Sequence, residues 1–180
     1  MSVQTWEEVL NSPSPVASGA ALASSVTLTD ISPAPQLILP ANYLVPGSRY
    51  CVRGEGVFSN TGTPTLLLGV YIGGVAGAAI AASGAITTIT AATNWTWHIQ
   101  TMFTVRTVGT TGTIFPGHGF LRMPASLTTF QAEYVIPATA PAAVTVDTTA
   151  AKAITIGAQW GTSNAANTIT CHGITIERLN

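Results

Sequence analysis

The chain has 180 residues, and only 7% of them are charged, six Lys and Arg against seven Asp and Glu; soluble domains ordinarily carry about 25%. A net charge of −1 supplies no cation cluster to displace counterions, which excludes a basic nucleic-acid-binding surface, and no charge run that would keep a tail disordered. With 28 Thr and 26 Ala, the polar surface is mostly hydroxyl and backbone. It sets up little repulsion between copies and reads as a surface built to associate with itself or with a larger assembly.

Residues 1–24 differ in texture from the rest. Thr5 as N-cap, with Glu7 and Glu8 behind it, predicts one or two helical turns, stopped by Asn11-Ser-Pro-Ser-Pro15. Val3, Trp6, Val9 and Leu10 recur at roughly helical spacing and form one sticky side. The segment is read as an attachment or assembly arm outside the core, one that no sheet needs for completion, with Trp6 as its anchor because buried aromatics dominate interface energy. It has no basic region and no apolar run, so it does not read as a secretory signal.

From residue 25 to 180 the pattern is period two, broken by turn residues, which predicts one β-domain. The strands expected in chain order are 26–30, 36–39, 48–58, 65–72, 78–82, 95–108, 113–123, 129–136, 144–147, 153–160 and 168–179. Gly54 and Gly56 inside the third signal a bulge or a close neighbour. The longest alternating run puts Trp95, Trp97, Ile99, Thr101, Phe103 and Val105 on one side, and Thr96, His98, Gln100, Thr104 and Arg106 on the other, as in a half-buried antiparallel strand. Gly109-Thr-Thr-Gly112 is its hairpin turn. The architecture expected is all-β, an antiparallel jelly-roll-like β-sandwich with an extended N-terminal arm. Strands 48–58 and 167–178 should then be neighbours, which brings Cys51 and Cys171 onto adjacent strands as buried thiols. The apolar run Leu66–Ala82 lacks flanking Lys or Arg and repeats the texture of the whole chain, so no membrane span is expected.

Motifs for chemistry are sparse. There is no G-x-S-x-G elbow, and His98, His118 and His172 read as two sheet-surface residues and one loop residue. Cys171 and His172 are adjacent on a strand and point to opposite faces, so they do not share a ligand sphere. Nothing pairs two of Asp30, Glu55, Glu133, Asp147 and Glu177 for glycoside hydrolysis. Gly73-Gly-Val-Ala-Gly77 lacks the dinucleotide spacing. The reading is therefore no catalytic residue, no cofactor and no metal. Trp95 and Trp97, about 7 Å apart on one strand face, either fill the core or an interface, or form a sugar-stacking platform.

Two blocks carry a resemblance. One is Leu39-Pro-Ala-Asn-Tyr-Leu-Val-Pro-Gly-Ser-Arg-Tyr50 with Gly56-Val-Phe-Ser-Asn-Thr-Gly-Thr-Pro-Thr-Leu66; the other is Thr145-Val-Asp-Thr-Thr149 with Ala158-Gln-Trp-Gly161 and Asn167-Thr-Ile-Thr-Cys-His172. Over residues 35–180 the chain resembles small virion structural proteins of tailed bacteriophages, of the kind that infect actinobacteria, both minor capsid and minor tail proteins. The resemblance implies a non-enzymatic virion protein made in the host cytoplasm, with reduced thiols. The leading expectation is a homotrimeric head decoration or cement protein on the capsid exterior, clipped by its arm to the major capsid protein. The alternative is a minor tail or tail-fibre protein that binds a host surface glycan, with Trp95 and Trp97 as the platform.

Overall fold

A computed structural model describes residues 8–10, 17–124 and 131–179. Among these residues the chain is all β, without a helix. In chain order the strands are β1 (Glu8–Leu10), β2 (Leu22–Ala23), β3 (Thr29–Asp30), β4 (Leu37–Leu39), β5 (Arg49–Ser59), β6 (Thr65–Ile72), β7 (Ala78–Ala82) and β8 (Ile86–Thr87). There follow β9 (Trp95–Thr107), β10 (Gly112–Pro116), β11 (Gly119–Pro124), β12 (Gln131–Ile136), β13 (Val144–Val146), β14 (Lys152–Trp160) and β15 (Thr168–Arg178).

Every pairing is antiparallel. A nine-stranded sheet runs β1-β15-β5-β9-β10-β13, with β2 also on β15 and the β11–β12 hairpin also on β9; a six-stranded sheet runs β3-β14-β6-β7, with β4 on β14 and β8 on β6. The two sheets curl around one core. Alternation decides which side chains enter it: Tyr50, Val52 and Phe58 from β5, Trp97, Ile99, Phe103 and Val105 from β9, Leu66, Leu68 and Val70 from β6, and Ile154, Ile156 and Trp160 from β14 are all buried. The glycines in β5 let the layers close on each other. A Cβ on Gly54 would stand 2.9 Å from Ile156 of the opposite sheet, and one on Gly56 would stand 1.9 Å from the Thr170 carbonyl oxygen. The close neighbour that these glycines signal in the sequence is thus the second sheet on one side and β15 on the other.

The long run 66–82 is not one element. It is β6, a turn and β7, with Gly73 and Gly74 at φ of +87° and +80° where the chain reverses. No helix among the described residues is long and apolar enough to cross a membrane. The return strand expected over 113–123 is two, β10 and β11, which pair in succession with the same edge of β9. Strands 48–58 and 167–178 are neighbours as expected, through β5 and β15. Cys51 and Cys171 are free and buried; Cys51 lies opposite Glu177, and Cys171 lies opposite Gly56.

The first 24 residues depart from their reading. Residues 8–10 are extended rather than helical, and Glu8, Val9 and Leu10 pair with Arg178, Glu177 and Ile176. Further on, the Gly19 N–H donates to the Cys171 carbonyl, and Leu22–Ala23 pairs with Ile169 and Thr168, with Leu22 inside the core. This part of the chain supplies backbone partners to the open edge of β15. Hydrogen bonding to an exposed edge overrides a weak local helix signal, because two turns of isolated helix are marginal in water. Val9 and Leu10 lie in β1; Val3 and Trp6 lie outside the described residues.

Buried asparagines tie the loops. Asn60 donates to Thr88 Oγ1 (2.7 Å) and to the Ile89 carbonyl, and accepts from the Ala92 N–H (2.8 Å). Asn167 accepts from the Thr61 N–H (3.1 Å). These contacts satisfy backbone groups that would otherwise be stranded beneath the sheet ends.

Candidate functional site

The sparse charge is not spread evenly. Arg49, Arg53, Arg106 and Arg122, four of the six Lys and Arg, lie at outward positions of the nine-stranded sheet, with Glu55, Glu133 and Glu177. Register sorts them into rows across the strands. One row reads Gly173, Glu55, His98, Arg122, Glu133 through β15, β5, β9, β11 and β12. The next reads Thr175, Arg53, Gln100, Phe120, Val135.

Within, between and beside these rows the partners are specific. Arg122 Nε donates to Glu133 Oε2 (2.7 Å), and its guanidinium covers Phe120 at 4.3 Å from the ring centroid. The His98 ring meets Phe120 at 5.7 Å. Arg53 donates to Gln100 Oε1 (3.2 Å) and forms an ion pair with Glu177. Burial holds the His98 imidazole below its usual pKa; Glu55 works against this, and Arg122 and Arg53 add to it. His98 is therefore neutral at pH 7, able to donate from one ring nitrogen and accept at the other.

A bulge shapes the left end of the first row. Cys171 pairs with Gly56 and Gly173 pairs with Glu55, so His172 is an extra residue between them. Such bulges bend a strand and re-aim its side chains. Here Cys171 stays in the core, its thiol pushed up to about 12 chiefly by burial. His172 stands exposed, with its Nδ1 held by Ser18 Oγ at 2.6 Å. Glu55, Gly56, Val57, Thr96, Trp97, His98 and His172 enclose a pocket of about 290 Å³.

The two tryptophans do not form one platform. Trp97 is 1% exposed; its ring lies across Gly56, and its Nε1 donates to the Val57 carbonyl (3.3 Å). It offers no face for a sugar and only borders the pocket from below, while Trp95 is half-buried against the core at the start of β9. The residues that do converge, Glu55, His98 and His172, lie far apart in the sequence. Alternation identifies His98 as outward, but no local signal announces the register that sets Glu55 beside it or the bulge that adds His172. Among the described residues no three His, Cys, Asp or Glu stand close enough to hold a metal ion.

The outer face of the six-stranded sheet is different in kind. Its central strands present Thr65, Leu67, Gly69 and Tyr71 from β6 and Ala153, Thr155, Gly157 and Gln159 from β14, none of them charged. The Tyr71 ring packs against two glycines, where a Cβ on Gly157 would come within 2.7 Å of it and one on Gly69 within 3.1 Å, and Gly69, Tyr71, Thr155 and Gly157 are buried within the subunit itself. Ile38 of β4, opposite Ala153, is 56% exposed beside this face. Asp30 at its rim has its carboxylate engaged by the Ser32 N–H (2.8 Å) and Gln36 Nε2 (2.7 Å). An apolar groove of about 350 Å³, lined largely by Ala and Pro, runs between β7 and residues 137–144.

Comparison with known protein families, curated proteins and solved structures gives no match to this chain.

Proposed function

We propose that this protein is a non-enzymatic structural component of a tailed-phage virion, a homotrimeric head decoration protein seated on the major capsid protein. The observation that carries the reading is the outer face of β6 and β14, which presents no charged side chain. Covering such a face costs little desolvation of polar side chains, and closed symmetry removes exposed apolar positions such as Ile38 from water.

Strand order supports a jelly roll as the architecture. The chain visits the sheets so that β2-β15-β5-β9 are neighbours in one and β3/β4-β14-β6-β7 in the other. First and last strands lie side by side, β1 and β2 on β15, as the nested Greek keys of a jelly roll require. Strands β10 to β13 extend the first sheet between its fourth strand and β14. In this proposal the arm residues Val3, Trp6, Val9 and Leu10 belong to the assembly contact. A second reading, a minor tail or fibre protein that binds host glycan, draws on the polar pocket at Glu55 rather than on Trp95 and Trp97.

The deciding experiment is quantitative mass spectrometry of purified virions. Hundreds of copies per particle, with immunogold label over the heads, is the expected result. A few copies at the tail tip would favour the second reading, and absence from virions would overturn both.

A further inference from the structure

We infer that the pocket enclosed by Glu55, His98 and His172 binds a single neutral sugar ring. The inference does not depend on where in a virion the chain sits.

Three observations converge on it. First, the pocket is built by a departure from regular pairing. The inserted residue of the β15 bulge is His172, and the residue after it is Gly173, where a Cβ would fall 3.6 Å from Glu55 Oε1. The bulge sets His172 beside Glu55 in the lining of the pocket. Second, His172 is held in place: Ser18 occupies its Nδ1, which leaves Nε2 as the atom free to meet a ligand.

Third, the polar groups are of mixed type over an apolar floor. Glu55 only accepts, each imidazole can donate or accept, and Thr96 does both. Sugar hydroxyls, each a donor and an acceptor, match that set. An anion would meet the Glu55 carboxylate, and the described residues do not cluster tightly enough for a metal ion. Val57, half-buried among the lining residues, supplies a nonpolar surface for the C–H face of a ring. At about 290 Å³ the pocket lies at the small end of ligand sites, roughly 300–1,000 Å³, a size for one ring rather than an oligosaccharide.

The test is an NMR titration of the full chain, labelled with nitrogen-15, against glucose, galactose, mannose, rhamnose, arabinose and N-acetylglucosamine up to tens of millimolar. Inorganic phosphate is run in parallel. The reporters are the Trp97 indole N–H and the Val57 and Thr96 amides. The expected result is a saturable shift with at least one sugar, weakened about tenfold or more in Glu55→Gln and in His172→Ala, since a hydrogen bond to a charged partner is lost in the first. Glu133→Gln, two strands away from His98 and three from Glu55, should titrate as the parent does. Matching spectra away from the pocket show that each variant is folded. The inference is overturned if no sugar gives a saturable shift, if phosphate alone does, or if Glu55→Gln and His172→Ala bind as well as the parent.

Discussion

The outer faces of the two sheets share one core and one chain but differ in chemistry. The nine-stranded sheet carries Arg49, Arg53, Glu55, His98, Arg122, Glu133 and Glu177 outward, whereas β6 and β14 of the six-stranded sheet carry Thr, Leu, Gly, Tyr, Ala and Gln. The first face pairs Arg53 with Glu177 and Arg122 with Glu133 across its strands. On the second face Tyr71 packs against Gly69 and Gly157, and β6 and β14 present no charge. An overall charge content of 7% therefore understates the contrast. The average describes neither face; under the proposed function the first meets solvent or ligand and the second a covering partner.

The largest effect should come from the core that both faces share. Trp97→Ala is expected to cost about 3–5 kcal/mol in urea unfolding, the range for truncating a buried aromatic. A change below about 1 kcal/mol would mean that the ring is not the packing element described.

The two faces are next set against each other. Ile38→Asp should leave monomer stability within about 0.5 kcal/mol, as for an exposed site, yet lower the light-scattering mass from trimer to monomer. Arg122→Glu on the other face should leave the mass unchanged. If both variants behave alike, or the parent is already monomeric, the division of labour between the faces fails.

Thiol chemistry separates core from outer face more finely. Cys171 points into the core with its pKa at about 12, and Cys51, at an outward position, is raised by burial despite Arg53 beside it. Neither should react with a thiol reagent in the native protein at pH 7, and both should react on unfolding without reductant. Protection of both in the unfolded chain would reveal a disulfide, contrary to their free state here.

A smaller effect belongs to the His98 row. The folded imidazole has a pKa below its ordinary value of 6.5, so between the folded and unfolded values the unfolded chain binds more protons. Stability from this group is full above pH 6.5 and is lost as pH falls through the folded value. The midpoint of thermal unfolding should decline below pH 6.5, and His98→Gln should flatten that decline. A midpoint that rises on acidification would contradict the burial of the ring. The smallest effect should be that of the Arg122–Glu133 pair, whose side chains are 47% and 46% exposed; a double-mutant cycle should return about 0–1 kcal/mol, the range for exposed ion pairs.

Sequence alone was enough to assign the inward and outward sides of β9, because side chains on a strand alternate with a period of two whatever the strand pairs with. It also marked the turns at Gly73 and Gly109 and the close approach at Gly54 and Gly56, where a side chain would clash. The partners of each strand were decided by the tertiary structure. The extended course of residues 8–10 came from the edge of β15, which needed hydrogen bonds that a short helix could not outbid. The row Glu55, His98, Arg122, Glu133 came from register between strands that are separate in the chain, Glu55 and His98 being the most distant of the paired neighbours. His172 joined it through a bulge, an irregularity set by two backbones fitting together. Alternation is a local property of the peptide unit, but register and bulges are properties of pairs of strands, and so the two sides of β9 were legible in the sequence while the site was not.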